Sequence, residues 1–154
     1  MVNWDFVGAL ANIVTMLIAF STASIVVRQV TEARRSTHAS SFKVAYDILQ
    51  DESVRRARRT VMAVLRAKEF ETWTAEEIEA AELVCQSYDS IAIMCRQEYL
   101  PTSVIADSWG DSLRKTWKVL RPLVKKYRTD RNSPEYWNDY QWLARKAQLL
   151  RDSA

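Results

Sequence analysis

The chain has 154 residues, 27% of them charged, and a formal net charge of +3 at pH 7. So large a charged fraction excludes a polytopic membrane protein, and the length allows one anchor and one compact domain with a single hydrophobic core. The mild positive charge makes no case for nucleic-acid binding but allows contact with an anionic membrane surface.

The first predicted element is a membrane-spanning helix. The run from Phe6 to Val27 contains no charged residue. At about 1.5 Å per residue, a helix of this length spans roughly 32 Å, close to the hydrocarbon thickness of a bilayer. A cleavable secretory signal is disfavoured because no Lys or Arg precedes the run. The alternative is a buried core helix of a soluble protein.

Small and polar residues recur along one side of this helix. In lipid, small residues let two helix backbones approach closely, and an amide side chain is less costly against a partner helix than against lipid tails. We therefore expect a packing face for a second copy of the chain or for another transmembrane protein, with chance as the alternative. The face comprises Gly8, Ala11, Asn12, Thr15, Ala19 and Ala23.

Basic residues follow the apolar run. By the positive-inside rule, this asymmetry places the N-terminus outside the membrane and the remainder of the chain in the cytoplasm. We predict an anchor with a basic extension at residues 1–35 and a cytosolic helical domain at residues 36–154. Because guanidinium groups bind phosphate well, the expected contact is an anionic lipid or a partner protein. The alternative is a solvated face paired with Asp51 and Glu52. The basic residues concerned are Arg28, Arg34, Arg35, Arg55, Arg56, Arg58 and Arg59.

Helix boundaries can be predicted in the first half of the domain. Ser and Thr residues at 36–41 predict a bend or break after the anchor helix. Asp51 is a candidate N-cap for the helix that follows. Thr74 with Glu77 three residues later is a capping box, and it opens the clearest helix of the chain.

Prolines mark the boundaries in the second half. Pro101 ends the helix that the capping box opens, and Pro122 kinks or restarts the next one. Ser133 as N-cap and Pro134 as first helical residue predict the start of the last helix. The basic residues between Lys118 and Arg131 are interpreted as a solvated face.

No strand is predicted. The chain has only two Gly and three Pro, and no segment shows sustained alternation with a period of two. The predicted fold class is therefore all-α, with one N-terminal transmembrane helix followed by a cytosolic antiparallel bundle of about five helices joined by short connections.

Few residues are suited to catalysis. His38 is the only histidine and has no partners at the spacing of metal ligands. Cys85 and Cys95 fall on apolar helix positions and are expected to be reduced core residues. Gly8 and Gly110 are the only glycines, which excludes a glycine-rich phosphate loop. We predict no catalytic residue, no metal and no cofactor.

Acidic residues cluster between Glu69 and Glu82. We interpret them as a solvated face at a helix N-terminus, where carboxylates interact favourably with the helix dipole. Asp89 lies in the middle of a predicted helix and is expected to form a structural salt bridge with a buried Arg. A hydrolase that uses this cluster or Asp89 is the weakest functional hypothesis.

Several short motifs are distributed through the soluble part. They are Tyr88-Asp89-Ser90-Ile91-Ala92, Tyr99-Leu100-Pro101, Trp117, Leu120-Arg121-Pro122-Leu123-Val124 and Tyr127-Arg128. Together with the N-terminal anchor, these motifs resemble an uncharacterised family of small bacterial membrane-anchored helical proteins. The resemblance implies the same architecture and a location in the bacterial inner membrane, and it brings no activity with it.

The leading functional hypothesis is a non-enzymatic single-pass membrane protein that serves as an accessory or scaffold subunit of a larger membrane assembly or of a homo-oligomer. Its partners would be the membrane, another transmembrane protein or a second copy, and an anionic lipid, with no nucleic acid. The alternative is a membrane-tethered signalling or defence component that senses an anionic lipid or ligand through the arginine tract, which comprises Arg55, Arg56, Arg58 and Arg59.

Overall fold

A computed structural model describes the backbone of residues 4–152 and the side chains of residues 15, 16 and 18–152. Within these residues the regular structure is entirely helical and contains no strand, which confirms the predicted all-α class. The chain divides into two units, Met1–Ala39 and Ser40–Ala154. The α-helices are α1 (Trp4–Gln50), α2 (Glu52–Ala63), α3 (Ala75–Arg96), α4 (Thr102–Asp130) and α5 (Asn138–Asp152).

Helix α1 is continuous over its 47 residues, so the predicted bend or break at 36–41 is wrong. The hydroxyl groups of Thr31, which precedes this segment, and of Thr37, which lies in it, bond within the helix instead of competing with it. Thr31 Oγ1 donates to the carbonyl oxygen of Val27 at 2.8 Å, and Thr37 Oγ1 donates to that of Ala33 at 3.0 Å. A Ser or Thr that bonds back to the preceding turn is compatible with a helix when no Gly or Pro is present to end it.

In the first unit, the described part of α1 carries large apolar side chains whose exposed fractions are between 50% and 77%. They are Met16, Ile18, Phe20, Ile25, Val26, Val27 and Val30. Among the described residues, no helix combines the length and the hydropathy needed to cross a membrane. The predicted transmembrane helix is therefore unsupported by these residues, and positions 6–14 and 17 of the apolar run lie outside the described side chains.

In its described residues, 40–152, the second unit is a bundle of the last turns of α1 with four further helices, and the first of the about five helices predicted after the anchor is continuous with α1. Helix α3 lies at its centre and contacts α2, α4 and α5. Its buried side includes Val84, Cys85, Tyr88, Ile91 and Ala92. Two single 3₁₀ turns, Leu65–Ala67 and Phe70–Thr72, connect α2 to α3.

Two predicted helix starts are confirmed. The carboxylate of Asp51 accepts the backbone N–H groups of Ser53 and Val54 at 2.8 and 3.4 Å, which caps α2. At α3, Thr74 Oγ1 accepts the N–H of Glu77 at 3.3 Å, and the Glu77 carboxylate accepts the N–H of Thr74 at 2.9 Å. Each cap provides acceptors for N–H groups that have no partner inside the helix.

Removal of the α3 cap should be measurable. Thr74→Ala is expected to lower the free energy of unfolding by about 1 kcal/mol, because the N–H of Glu77 loses its acceptor. Urea unfolding followed by far-ultraviolet circular dichroism would measure the change. Thr129→Ala is the matched control, since that hydroxyl bonds to the Lys125 carbonyl on an exposed face of α4. An equal loss in both variants would contradict the role of the cap.

Helix α5 begins at Asn138 and not at Pro134, so the predicted start is four residues early. Residues 134–137 form turns, and Trp137 has a φ of 54°. A positive φ on a bulky residue costs about 1–3 kcal/mol. Burial of the Trp137 ring, which is 6% exposed and lies 5.3 Å from the Tyr127 ring, offsets that cost.

Helix α4 continues through Pro122 for 29 residues without a restart. Pro101 occupies its N-cap position, and the helix has no side-chain cap, although Thr102 and Ser103 follow. Because proline lacks an N–H, Pro122 cannot donate to the carbonyl of the preceding turn. The helix tolerates this loss where Leu120, Leu123 and Val124 are buried in the core.

Candidate functional site

The predicted packing face lies on α1 in the first unit. Gly8, Ala11 and Asn12 lie outside the described side chains. Ala19 and Ala23 are exposed, so their small side chains are accessible on the helix surface. The structure describes no second chain, and the face stays a prediction. Thr15, the remaining residue of the face, is also exposed. The arginines of the basic extension, Arg28, Arg34 and Arg35, are exposed as well.

Three of the four arginines in the tract on α2 are exposed. Arg56 and Arg59 both approach the Glu52 carboxylate, at 3.8 and 3.3 Å. Exposed ion pairs of this kind contribute about 0–1 kcal/mol. Since one carboxylate serves two guanidinium groups, and Arg55 is exposed beside them, this surface keeps an excess of positive charge. Contact between the tract and a lipid or partner stays a prediction.

Arg58 differs from the expectation that the whole tract faces solvent. Its side chain is partly buried, and its Nη2 donates to the carbonyl oxygen of Leu49 at 2.6 Å. Leu49 lies in the last turn of α1, where carbonyl groups lack intrahelical partners. Burial raises the pKa of Tyr88, while the Ser112 hydrogen bond and the Arg58 guanidinium lower it to a smaller extent. Arg58 therefore connects α1 and α2 to the core.

Arg58→Ala is expected to lower the free energy of unfolding by about 1.5 kcal/mol, because a charge-assisted hydrogen bond to a helix C-terminus is lost. Arg55→Ala, on the same helix, should change it by less than about 0.5 kcal/mol. Thermal unfolding of the two variants beside the native chain provides the comparison. A greater loss in Arg55→Ala would overturn this assignment.

Asp89 caps α5 from a different helix. Its Oδ1 accepts the backbone N–H of Tyr140, in the first turn of α5, at 2.8 Å. Burial raises the pKa of Asp89. The hydrogen bonds from the N–H groups of Tyr140 and Asp139 and the charge of Arg128 lower it, and the carboxylate of Asp139 raises it. The expected salt bridge with a buried Arg is thus replaced mainly by a backbone cap, through which Asp89 connects α3 to α5.

The remaining candidates for chemistry show no convergence in the described part of the chain. No group of three or more His, Cys, Asp or Glu side chains there could hold a metal ion. Cys85 and Cys95 are free and buried, as predicted. Burial raises the pKa of Cys85 and raises that of Cys95 to about 11, so both thiols are neutral at physiological pH.

The acidic cluster has the electrostatics of a solvated helix terminus. Hydrogen bonding to its own backbone N–H lowers the pKa of Glu76, and a hydrogen bond from Lys68 lowers the pKa of Glu77. Both carboxylates lie in the first turn of α3. Their ionised forms are therefore stabilised, as expected for acids at the positive end of a helix dipole.

A cleft that the sequence analysis did not identify lies between the end of α2 and the middle of α4. Its charged lining residues are all basic: Arg66, Lys68, Lys115 and Lys118. The sequence contains only an indirect indication of this cleft, because Lys118 belongs to the basic run that was interpreted as a solvated face. Arg66 and Lys68 lie in the connection after α2.

Comparison with known proteins gives a family but no activity. No curated protein and no solved structure matches the chain. Residues 9–147 match the model of a family described as a domain of unknown function, DUF4760. The match covers most of α1 and all of α2, α3 and α4, and it confirms the expectation of an uncharacterised family. The chain therefore belongs to the DUF4760 family.

Proposed function

We propose that this chain is a non-enzymatic, single-pass membrane protein that acts as an accessory or scaffold subunit, either of a larger membrane assembly or of a homo-oligomer. The observation that carries the proposal is the row of large apolar side chains exposed on α1 from Met16 to Val30. The proposed location is the bacterial inner membrane, with the N-terminus outside and the bundle in the cytoplasm.

An exposed apolar surface of this extent is expected to be buried against lipid or another protein. Burying it gains about 25 cal/mol for each Å² removed from water, and Phe20 and Met16 are 77% and 73% exposed. Lipid tails or other apolar helices would provide that burial. The uncharged run begins at Phe6, so positions outside the described side chains extend the described apolar segment toward a membrane-spanning length.

The basic residues that follow support the proposed orientation. Arg28, Arg34 and Arg35 are exposed on the same helix. A basic residue near an anionic leaflet gains about 1 kcal/mol. Retention of Lys and Arg on the cytoplasmic side would place the bundle in the cytoplasm.

Two arginines introduced into the apolar segment provide the first test. Each Arg at the centre of a membrane helix costs about 2.5–3.5 kcal/mol for insertion. Phe20→Arg/Ile25→Arg should therefore move the expressed chain from the carbonate-resistant membrane fraction to the soluble fraction. Thr31→Arg/Thr37→Arg adds the same charge to the same helix beyond the apolar run, and should leave the protein in the membrane. A native chain that is extracted by carbonate would refute the anchor.

The subunit role is tested through the small-residue face. Ala19→Leu/Ala23→Leu would separate helix backbones that approach closely at this face. Ser21→Leu/Ser24→Leu adds bulk on the opposite side of α1 and serves as control. The native chain and the control should migrate as a complex in mild detergent, and the face variant as a monomer. A native chain that is monomeric at high concentration and recovers no partner would contradict the proposal.

A second candidate is sensing of an anionic lipid or ligand by the exposed part of the arginine tract. The observation in its favour is the excess of guanidinium groups over carboxylates around Glu52. Replacement of Arg55, Arg56 and Arg59 by Gln should abolish binding to anionic vesicles, with an unchanged melting temperature. Arg58 is left in place because it holds the Leu49 carbonyl. Unchanged vesicle binding would remove this candidate.

A further inference from the structure

The cleft between α2 and α4 has the size of a small-molecule site. Its volume is about 480 Å³, within the range of about 300–1,000 Å³ that is typical of ligand pockets. One side is formed by the end of α2 and the 3₁₀ turn that follows, and the other by the middle of α4. The lining residues are Met62, Leu65, Arg66, Lys68, Lys115, Lys118 and Val119.

Two of the four cations in the cleft are already paired. Lys68 Nζ lies 2.6 Å from the Glu77 carboxylate, and Lys115 Nζ lies 2.6 Å from that of Asp111. These contacts lower the pKa of both carboxyl groups, with the lysine hydrogen bond as the largest cause in each. Neither acid is among the residues that line the cleft, so its charged lining is entirely basic.

Arg66 and Lys118 are the remaining cations. In the described part of the chain, no carboxylate lies within ion-pair distance of either side chain. They come from opposite walls, Arg66 from the 3₁₀ turn and Lys118 from α4. The cleft therefore presents two uncompensated positive charges, one of them a guanidinium that can donate two parallel hydrogen bonds.

The cleft also has apolar lining. Leu65 is 1% exposed, and Met62 and Val119 are partly buried beside it. Because α2 and α4 pack directly against each other, the two walls are held by the bundle itself. An apolar substituent next to a charged group would bury its surface against Met62 and Val119, which rest on the buried Leu65.

We propose that this cleft binds a phosphate monoester that carries an apolar substituent. Such a phosphate has a charge of about −1.5 to −2 at neutral pH, which matches Arg66 and Lys118, and the substituent fits the side formed by Met62 and Val119. Both a soluble alkyl phosphate and the headgroup of phosphatidic acid have this chemistry.

The test uses the full-length chain in a nonionic detergent, with hexyl phosphate as the probe in isothermal titration calorimetry. Arg66→Gln/Lys118→Gln should weaken binding at least tenfold, since each charge-assisted hydrogen bond contributes about 1.5–3 kcal/mol. Arg145→Gln/Lys146→Gln removes the same types of charge from exposed positions on α5 and should change the affinity less than about twofold. Both variants should melt within about 2 °C of the native chain, because all four side chains are exposed.

Two further arms distinguish the source of the phosphate. Micelles doped with phosphatidic acid test the lipid headgroup against micelles doped with phosphatidylcholine, and inorganic phosphate tests the free ion. Tighter binding of hexyl phosphate than of inorganic phosphate would support a contact between the alkyl chain and the apolar side of the cleft. Tighter binding to phosphatidic acid micelles than to hexyl phosphate would identify the lipid headgroup as the source of the phosphate. Absence of binding to all three phosphates, or equal weakening in the α5 control, would overturn the proposal.

The result of the phosphate-binding test does not depend on whether α1 anchors the chain in a membrane. A chain that fails the carbonate test retains the cleft, because all its lining residues belong to the second unit. The cleft variants likewise leave the α1 surface and the arginine tract unchanged.

Discussion

Tyr140→Ala is expected to lower the free energy of unfolding by about 4 kcal/mol, the largest loss among the substitutions considered. The Tyr140 ring is fully buried. It stacks on Tyr88 of α3 at 5.3 Å between ring centroids and meets Trp117 of α4 edge-on at 5.1 Å. Removal of the ring leaves a cavity at the junction of three helices, since the neighbouring rings relax only partly. Urea unfolding of the full-length chain would measure the loss.

The hydroxyl of Tyr140 provides a finer control on the same side chain. It lies 2.7 Å from Thr116 Oγ1, and Thr116 in turn donates to the carbonyl oxygen of Ser112 at 2.7 Å. Tyr140→Phe should cost about 1 kcal/mol, because it removes one hydrogen bond and leaves no donor without an acceptor.

Thr116→Val should cost more, about 2 kcal/mol, because the buried Tyr140 hydroxyl then has no acceptor. The double variant should regain part of this loss. If the two single losses simply add, the hydroxyl groups do not interact, and the proposed bond between α4 and α5 is contradicted.

The parts of the fold that the sequence predicted are those determined by local chemistry. The Asp51 cap and the box of Thr74 and Glu77 require only side chains and backbone groups within one helical turn. The burial of Cys85 and Cys95 follows from apolar residues repeated along one side of α3. Each of these features could therefore be recognised without knowledge of the tertiary structure.

The errors in the fold prediction have tertiary or competitive causes. Ser133 and Pro134 carry a strong start signal, but α5 begins four residues later because Trp137 turns into the ring cluster with Tyr127 and Tyr136. The Ser and Thr residues at 36–41 were expected to interrupt α1. The sequence does not show that the Thr37 hydroxyl bonds to the Ala33 carbonyl in the preceding turn, and α1 accommodates that bond without a break.

In the candidate site, too, the features determined by local chemistry could be predicted and those determined by tertiary contacts could not. That the tract on α2 is basic could be predicted, but the inward position of Arg58 could not, because its partner is a carbonyl nine residues earlier at the end of another helix. The basic cleft joins Arg66 with Lys118, whose proximity depends on the packing of α2 against α4. From composition alone, both residues are expected to be ordinary solvated cations.

Asp89→Ala is expected to lower the free energy of unfolding by about 2–3 kcal/mol. The substitution removes the acceptor for the Tyr140 N–H, and the first turn of α5 then has unpaired donors at a partly buried position. Thermal and urea unfolding should agree on the loss. Asp47→Ala is the control, because the Asp47 pair with Lys43 is exposed and should contribute less than about 0.5 kcal/mol. Equal losses in the two variants would show that α5 does not depend on its cap.

Asp89→Asn separates the acceptor from the charge. The amide oxygen can still accept from Tyr140, so at neutral pH this variant should lie within about 1 kcal/mol of the native chain. Burial raises the pKa of Asp89 above its ordinary value of 3.8, which means that the folded chain binds a proton at this carboxyl more readily than the unfolded chain. As pH falls through that raised pKa toward 3.8, the native chain should therefore gain stability relative to Asp89→Asn.

The surrounding charges do not reverse this direction. Burial and the Asp139 carboxylate together raise the pKa of Asp89 by more than the Tyr140 and Asp139 N–H groups and Arg128 lower it. Acids with lowered pKa values, such as Asp51 and Asp111, lose stabilisation over the same range, but they are present in both chains and cancel in the comparison. A native chain that loses stability relative to Asp89→Asn on acidification would show that the ionised carboxylate, and not its oxygen as a neutral acceptor, holds α5 against α3.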